Sequence, residues 1–158
     1  MKQANLELVE QSERVSLYSI KFLGEDLTEF ERFLQEFRRN AEFNMDYQRI
    51  LYAIGRILDN GALERYFRPE GKYKDGVCAV PLDSGKLRLY CLRISEQILI
   101  VGNGGVKESR RYQDDPLLNG YVITLQNFEK LIRDGIKNGW ITIQEKELVG
   151  VEDKTFNL

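Results

Sequence analysis

Three side chains in the middle of the chain, Arg88, Lys107 and Tyr112, are of the types that could together handle a phosphate. Two cations can hold a phosphodiester and the extra negative charge that builds on it during transfer, while a phenol can give up a proton or offer its ring to a base. Further cations lie near them in sequence: Lys72 and Lys74 upstream, Arg93 between, and Arg110 and Arg111 immediately before Tyr112. These five are the candidate nucleic-acid contacts, because a nucleic-acid backbone is a run of negative charge. The everyday roles of the same residue types are plainer. Arginines at strand ends are mostly solvated, and tyrosines such as Tyr90 and Tyr112 are more often core or rim aromatics than catalytic groups.

Other chemistries find few residues. The chain has no histidine, and its two cysteines, Cys78 and Cys91, both fall in apolar runs. Two thiols alone do not make a familiar zinc site, so neither a metal nor a cofactor is expected. Gly102, Gly104 and Gly105 around Asn103 resemble a phosphate loop only in glycine content. A Walker loop sets Gly-Lys-Ser/Thr at the start of a helix, whereas here Val106 precedes Lys107 and Glu108 follows. These glycines are expected to turn the chain out of a sheet.

The 158 residues suit one domain, and 42% hydrophobic content is enough for a core. No apolar run approaches the roughly 18 residues that span a bilayer, and the start MKQANLELVEQSER has no apolar signal segment. A cytoplasmic location without membrane contact is therefore expected. Net charge is −2, but it is unevenly spread: residues 61–113 carry ten Lys/Arg against six Asp/Glu, leaving thirteen against nineteen elsewhere. The basic excess coincides with the segment that carries the candidate site.

The elements that must position these residues follow from periodicity. Val15–Phe22 alternates and reads as a strand. Asp26 or Thr28 can cap a helix running to Asn40, with Phe30, Phe33, Leu34 and Phe37 as its apolar stripe. A second helix covers Asp46–Asp59, and Asn60-Gly61 supplies a left-handed stop. After a charged, aromatic connector come strands Val77–Leu82, Leu87–Ile94 and Gln97–Val101, separated by turns as short as Asp83-Ser84-Gly85, which permit only antiparallel pairing. A helix over Thr124–Asn138, stopped by Gly139, follows an irregular segment at 111–120. Trp140–Ile143 reads as a short strand and Gly150–Leu158 as a frayed end. The expected core is Phe30, Phe33, Phe37, Ile50, Leu51, Ile54, Leu89, Cys91, Leu99 and Val101. The fold class is α+β: a two-helix hairpin on a mostly antiparallel four-stranded sheet, with a C-terminal helical extension.

The order β-α-α-β-β-β, together with LRLYCLRISEQILIVGNGGVKESRRY at 87–112, resembles the RelE/ParE/HigB superfamily of bacterial toxins from toxin–antitoxin pairs. In that family an Arg-x-x-Tyr strand is followed by a polar turn, an aliphatic strand and a basic tail. The resemblance implies a domain over residues 1–112, with residues 113–158 as an extension packed on it, and a cognate antitoxin as partner. For the ribonuclease branch it implies cleavage of ribosome-bound mRNA without a metal, the RNA's own 2′-hydroxyl attacking the adjacent phosphate. Arg88 then matches the phosphate-binding arginine of the third strand, Lys107 the arginine after the last strand, and Tyr112 the C-terminal tyrosine. The chain departs from that branch in three ways: Val77–Leu82 carries no basic residue, histidine is absent and the net charge is acidic. A non-catalytic toxin-fold module, whether a gyrase-type inhibitor or a degenerate toxin, and an unrelated α+β interaction domain are the alternatives.

Overall fold

Helices cover both faces of a seven-stranded sheet in the computed structural model, which describes residues 2–70, 75–82 and 85–158. Lys72, Lys74 and the Asp83-Ser84 part of the expected turn lie outside the described residues. The strands are β1 (Gln3–Gln11), β2 (Ser16–Phe22), β3 (Arg68–Pro69), β4 (Val77–Val80), β5 (Leu87–Ser95), β6 (Ile98–Val106), β7 (Thr142–Gln144), β8 (Glu147–Val149) and β9 (Phe156–Asn157). The helices are α1 (Glu29–Phe37), α2 (Asn44–Asn60) and α3 (Pro116–Asn138). The main sheet has the order β3-β4-β5-β6-β2-β1-β9, with β7 and β8 forming a separate hairpin. All neighbours in the main sheet are antiparallel except β2 and β6, which run parallel.

The chain is thus α+β with a mostly antiparallel sheet, but seven strands replace the expected four. The four expected strands are present as β2, β4, β5 and β6. The extra ones escape a sequence reading for physical reasons. β1 is rich in Gln, Asn and Glu, and it is a strand because it pairs along β2 from Ala4↔Phe22 to Gln11↔Ser16. β3 and β9 have two residues each, too few to show a period.

Thr28, not Asp26, caps α1. Its hydroxyl accepts from the Glu31 amide at 3.2 Å while the Glu31 carboxylate accepts from the Thr28 amide at 3.0 Å, a reciprocal capping box. Gly61 ends α2 at φ +96° and ψ 169°, an extended conformation open to glycine rather than the expected left-handed stop. Phe33, Phe37, Tyr47, Ile50 and Ile57 bury themselves against Leu17, Leu89, Leu99 and Val101 on one side of the sheet. Nine of the ten expected core residues lie in this cluster; Leu51 is 36% exposed. Each helical residue turns the side chain about 100°. With Ile50, Ile54 and Ile57 facing the sheet, Leu51 is carried round to the flank.

The opposite side of the sheet has a core of its own under α3, where Leu118, Val122, Leu125, Phe128 and Ile132 meet Ile20, Tyr90, Leu92 and Ile100. This helix starts well before Thr124. Pro116 occupies its first turn, where a missing amide costs nothing, and the Asp115 carboxylate accepts from the amides of Leu117 and Leu118. The glycines of the expected exit turn lie inside β6. A Cβ on Gly102 would come 3.3 Å from Leu125 and one on Gly105 3.2 Å from Leu118, so their smallness lets α3 settle on the sheet. The C-terminal end is held as well: Phe156 is 2% exposed, and β9 extends the sheet beside β1.

Candidate functional site

Alternation along β5 sends Leu87, Leu89 and Cys91 toward α1 and α2, and Arg88, Tyr90 and Leu92 toward α3. Arg88 pairs in register with Gly105 and Tyr90 with Ala79, whose other neighbour is Arg68 on β3. A row Arg68–Ala79–Tyr90 therefore crosses three strands on the α3 side. Lys107 follows β6, its amide donating to the Lys86 carbonyl at 2.6 Å. A single 3-10 turn at Tyr112–Asp114 leads into α3 and sets the Tyr112 ring 6.4 Å from that of Tyr90.

Glu70 stands among the cations. Its side chain is 8% exposed, and a carboxylate oxygen is 3.7 Å from Arg68 Nε. Burial pushes its carboxyl above the ordinary range, opposed by the positive charges of Lys107, Arg68 and Arg88. Burial likewise raises the Tyr90 phenol, with Glu70 adding to the shift and Arg88 opposing it; Asp115 and Tyr112 raise it further. The Arg88 guanidinium is pulled down by burial and then by Arg68. Arg88, Lys107 and Tyr112 are thus brought into the field of one pair, Glu70 and Tyr90.

Arg88 is more deeply set than a surface phosphate clamp. It is 6% exposed, and its Nη1 donates to the carbonyls of Gly85 at 2.6 Å and Leu87 at 3.1 Å. Its Nε and the Tyr90 hydroxyl are buried without a hydrogen-bond partner among the described residues. Such orphans are rare in folded proteins and here two of them share one site. Tyr112 is 8% exposed.

The remaining expected contacts do not converge. Arg93 lies on the other face, its Nε donating to the Ala62 carbonyl at 2.7 Å and so tying down the chain that follows α2. Arg110 and Arg111 are exposed between β6 and the 3-10 turn. Lys72 and Lys74 are outside the described residues. Sequence reasoning missed Arg68, Glu70, Tyr90 and Asp115. Arg68 and Glu70 flank Pro69 in the connector, and a carboxylate so placed among cations was the one available hint. Arg68 stands beside β4, whose own residues include no cation, because β3 pairs with it at Arg68↔Ala79.

No family model, curated protein or solved structure matches the chain. Among the described residues no group of three or more His, Cys, Asp or Glu side chains could hold a metal, and no helix is long and apolar enough to cross a membrane. Cys78 and Cys91 face each other across β4 and β5 as free thiols; burial pushes Cys78 up to about 12, which makes it an inert core residue.

Proposed function

We propose that this chain is the toxin of a bacterial toxin–antitoxin pair, of the RelE/ParE/HigB kind, and that it cleaves ribosome-bound mRNA in the cytoplasm without a metal. The observation that carries this reading is the gathering of Arg88, Lys107 and Tyr112 around Glu70 and Tyr90, with two buried polar atoms unpartnered among the described residues. The run β2-α1-α2-β3-β4-β5-β6 also follows the β-α-α-β-β-β order of the resemblance, with the two-residue β3 added before β4. In the proposed reaction Glu70 removes the proton of an RNA 2′-hydroxyl, and that oxygen attacks the adjacent phosphorus. The bond from phosphorus to the 5′-oxygen breaks, and Tyr112 supplies a proton to the departing oxygen. Arg88 and Lys107 hold the charge of the pentavalent phosphate. A carboxylate raised by burial is a better base near neutrality than an ordinary one.

One observation favours a second reading, a toxin-fold module that binds without cleaving. Arg88 is already engaged with two backbone carbonyls, and Glu70 occupies the place among the cations that a phosphate would take. Growth separates the two. Expression without an antitoxin should arrest growth, and Arg88→Lys, which keeps the charge but loses the planar fork, should relieve the arrest at unchanged protein level. Arrest that persists in Arg88→Lys and in Glu70→Gln alike favours the non-catalytic module.

A further inference from the structure

A second candidate site lies on the α1–α2 side of the sheet, away from Arg88. An open groove of about 670 Å³ runs between α2 and the segment after β4, lined among others by Arg49, Tyr52, Arg56, Arg65, Tyr66 and Leu82. Its charge is one-sided: among the described residues three arginines and no acidic residue line it. Arg49 reaches Asp46 at 3.4 Å, whereas Arg56 and Arg65 form no ion pair among the described residues. Both instead sit over the Tyr66 ring, 4.6 and 5.3 Å from its centre, and Asn60 donates to the Tyr66 hydroxyl at 3.0 Å. Stacking on the ring favours this placement of two exposed guanidiniums, whose planar forks suit carboxylates.

Beside this cationic wall the groove is apolar. Tyr52 is 69% exposed and Leu82 52%, and about two α-helical turns from Tyr52 the same face of α2 shows Met45 at 70%. Tyr52 and Leu82 line the same groove, so their exposed apolar surface lies together. The groove combines tyrosine and arginine with leucine and holds no lysine, and with Met45 beside it this is the composition of protein interfaces. A nucleic-acid strand would gain from the arginines but leave Leu82 and Met45 uncovered. We infer that the groove docks a segment of a partner protein in which acidic residues flank an apolar anchor, the carboxylates meeting Arg56 and Arg65 and the anchor lying on Tyr52 and Leu82. The inference is independent of any RNA chemistry at Arg88.

The test is selection of a displayed random peptide library on the immobilised full chain, followed by titration of the enriched peptides and of oligouridine RNA in solution. Enriched peptides should carry Asp or Glu around a large apolar residue. Their affinity should fall about tenfold or more in Arg56→Glu/Arg65→Glu and again in Tyr52→Ala, and weaken with salt. Tyr52→Ala alters an exposed side chain, so it reports on binding even if the double charge reversal harms folding. Enrichment of neutral or basic peptides, no enrichment, or peptide affinities indifferent to both variants would overturn the inference. So would binding of oligouridine, rather than peptide, that depends on Arg56 and Arg65.

Discussion

At the scale of residues, the site is governed by how little solvent reaches it. Arg88 and Tyr90 sit on a strand whose alternation turns them to the face that α3 covers, and desolvation shifts Glu70, Arg88 and Tyr90. Glu70 gives this a measurable sign. Its folded value lies above the ordinary 4.5, so the folded state holds the proton more tightly than the unfolded one. Its contribution to stability is present in acid, below the unfolded value, and is lost as pH rises through the raised value. Glu70→Gln should therefore stabilise the protein near neutrality and remove part of the decline above about pH 4.5, read as urea midpoints across pH for both proteins. An unchanged difference between variant and wild type at all pH values would mean that burial does not raise the Glu70 carboxyl in solution. At this scale the sequence exposed the cations and the phenol by type. It could not expose Glu70 as their neighbour, because that contact needs β3 paired to β4 and β4 to β5.

Elements were legible where one face is apolar and the other is not. α1 shows its stripe and its cap, and the hairpin of β5 and β6 shows its turn at 96–97. α2 was readable as a helix but not in phase, since Ile50 and Leu51 are equally apolar and only packing selects between them. The consequence is a contrast: Phe33→Ala should cost about 3–5 kcal/mol, and Leu51→Ala under about 1 kcal/mol. Equal losses in urea titrations would contradict the orientation of α2. The glycines of β6 illustrate the opposite difficulty. Gly102 and Gly105 read as a turn because glycine permits one, yet they serve close approach of Leu125 and Leu118, a tertiary contact with no local signature.

For the whole molecule, the decisive feature is the two-sided sheet. The sequence shows the α1–α2 core and an extension over residues 113–158 packed on the same domain; in that stretch α3 buries Tyr90, Leu92, Ile98 and Ile100, and β9 pairs with the first strand. A chain ending at Gln113 should lose cooperative unfolding and bind a hydrophobic dye, because one entire face of the sheet is then bare. A sharp urea transition for that fragment would show that α3 is an accessory. Both cores also fix the relation between the two sites. The Arg88 cluster belongs to the α3 side and the arginine groove to the α1–α2 side. Asp46, which pairs with Arg49 and acts on Arg88, lies between them, whereas Tyr52, Arg56 and Arg65 can be altered without changing a partner of Arg88.

The central claim is that Arg88, Lys107, Tyr112 and Glu70 act together on an RNA phosphate. Its most direct measurement is mapping of mRNA ends after incubation of the purified protein with translating ribosomes. New ends within the translated frame should accumulate with the wild-type chain, fall about a hundredfold or more in rate with Tyr112→Phe or Glu70→Gln, as expected for loss of a general acid or base, and be abolished in Arg88→Lys. Intact mRNA with the wild-type protein, or cleavage that all three variants retain in full, would contradict the account.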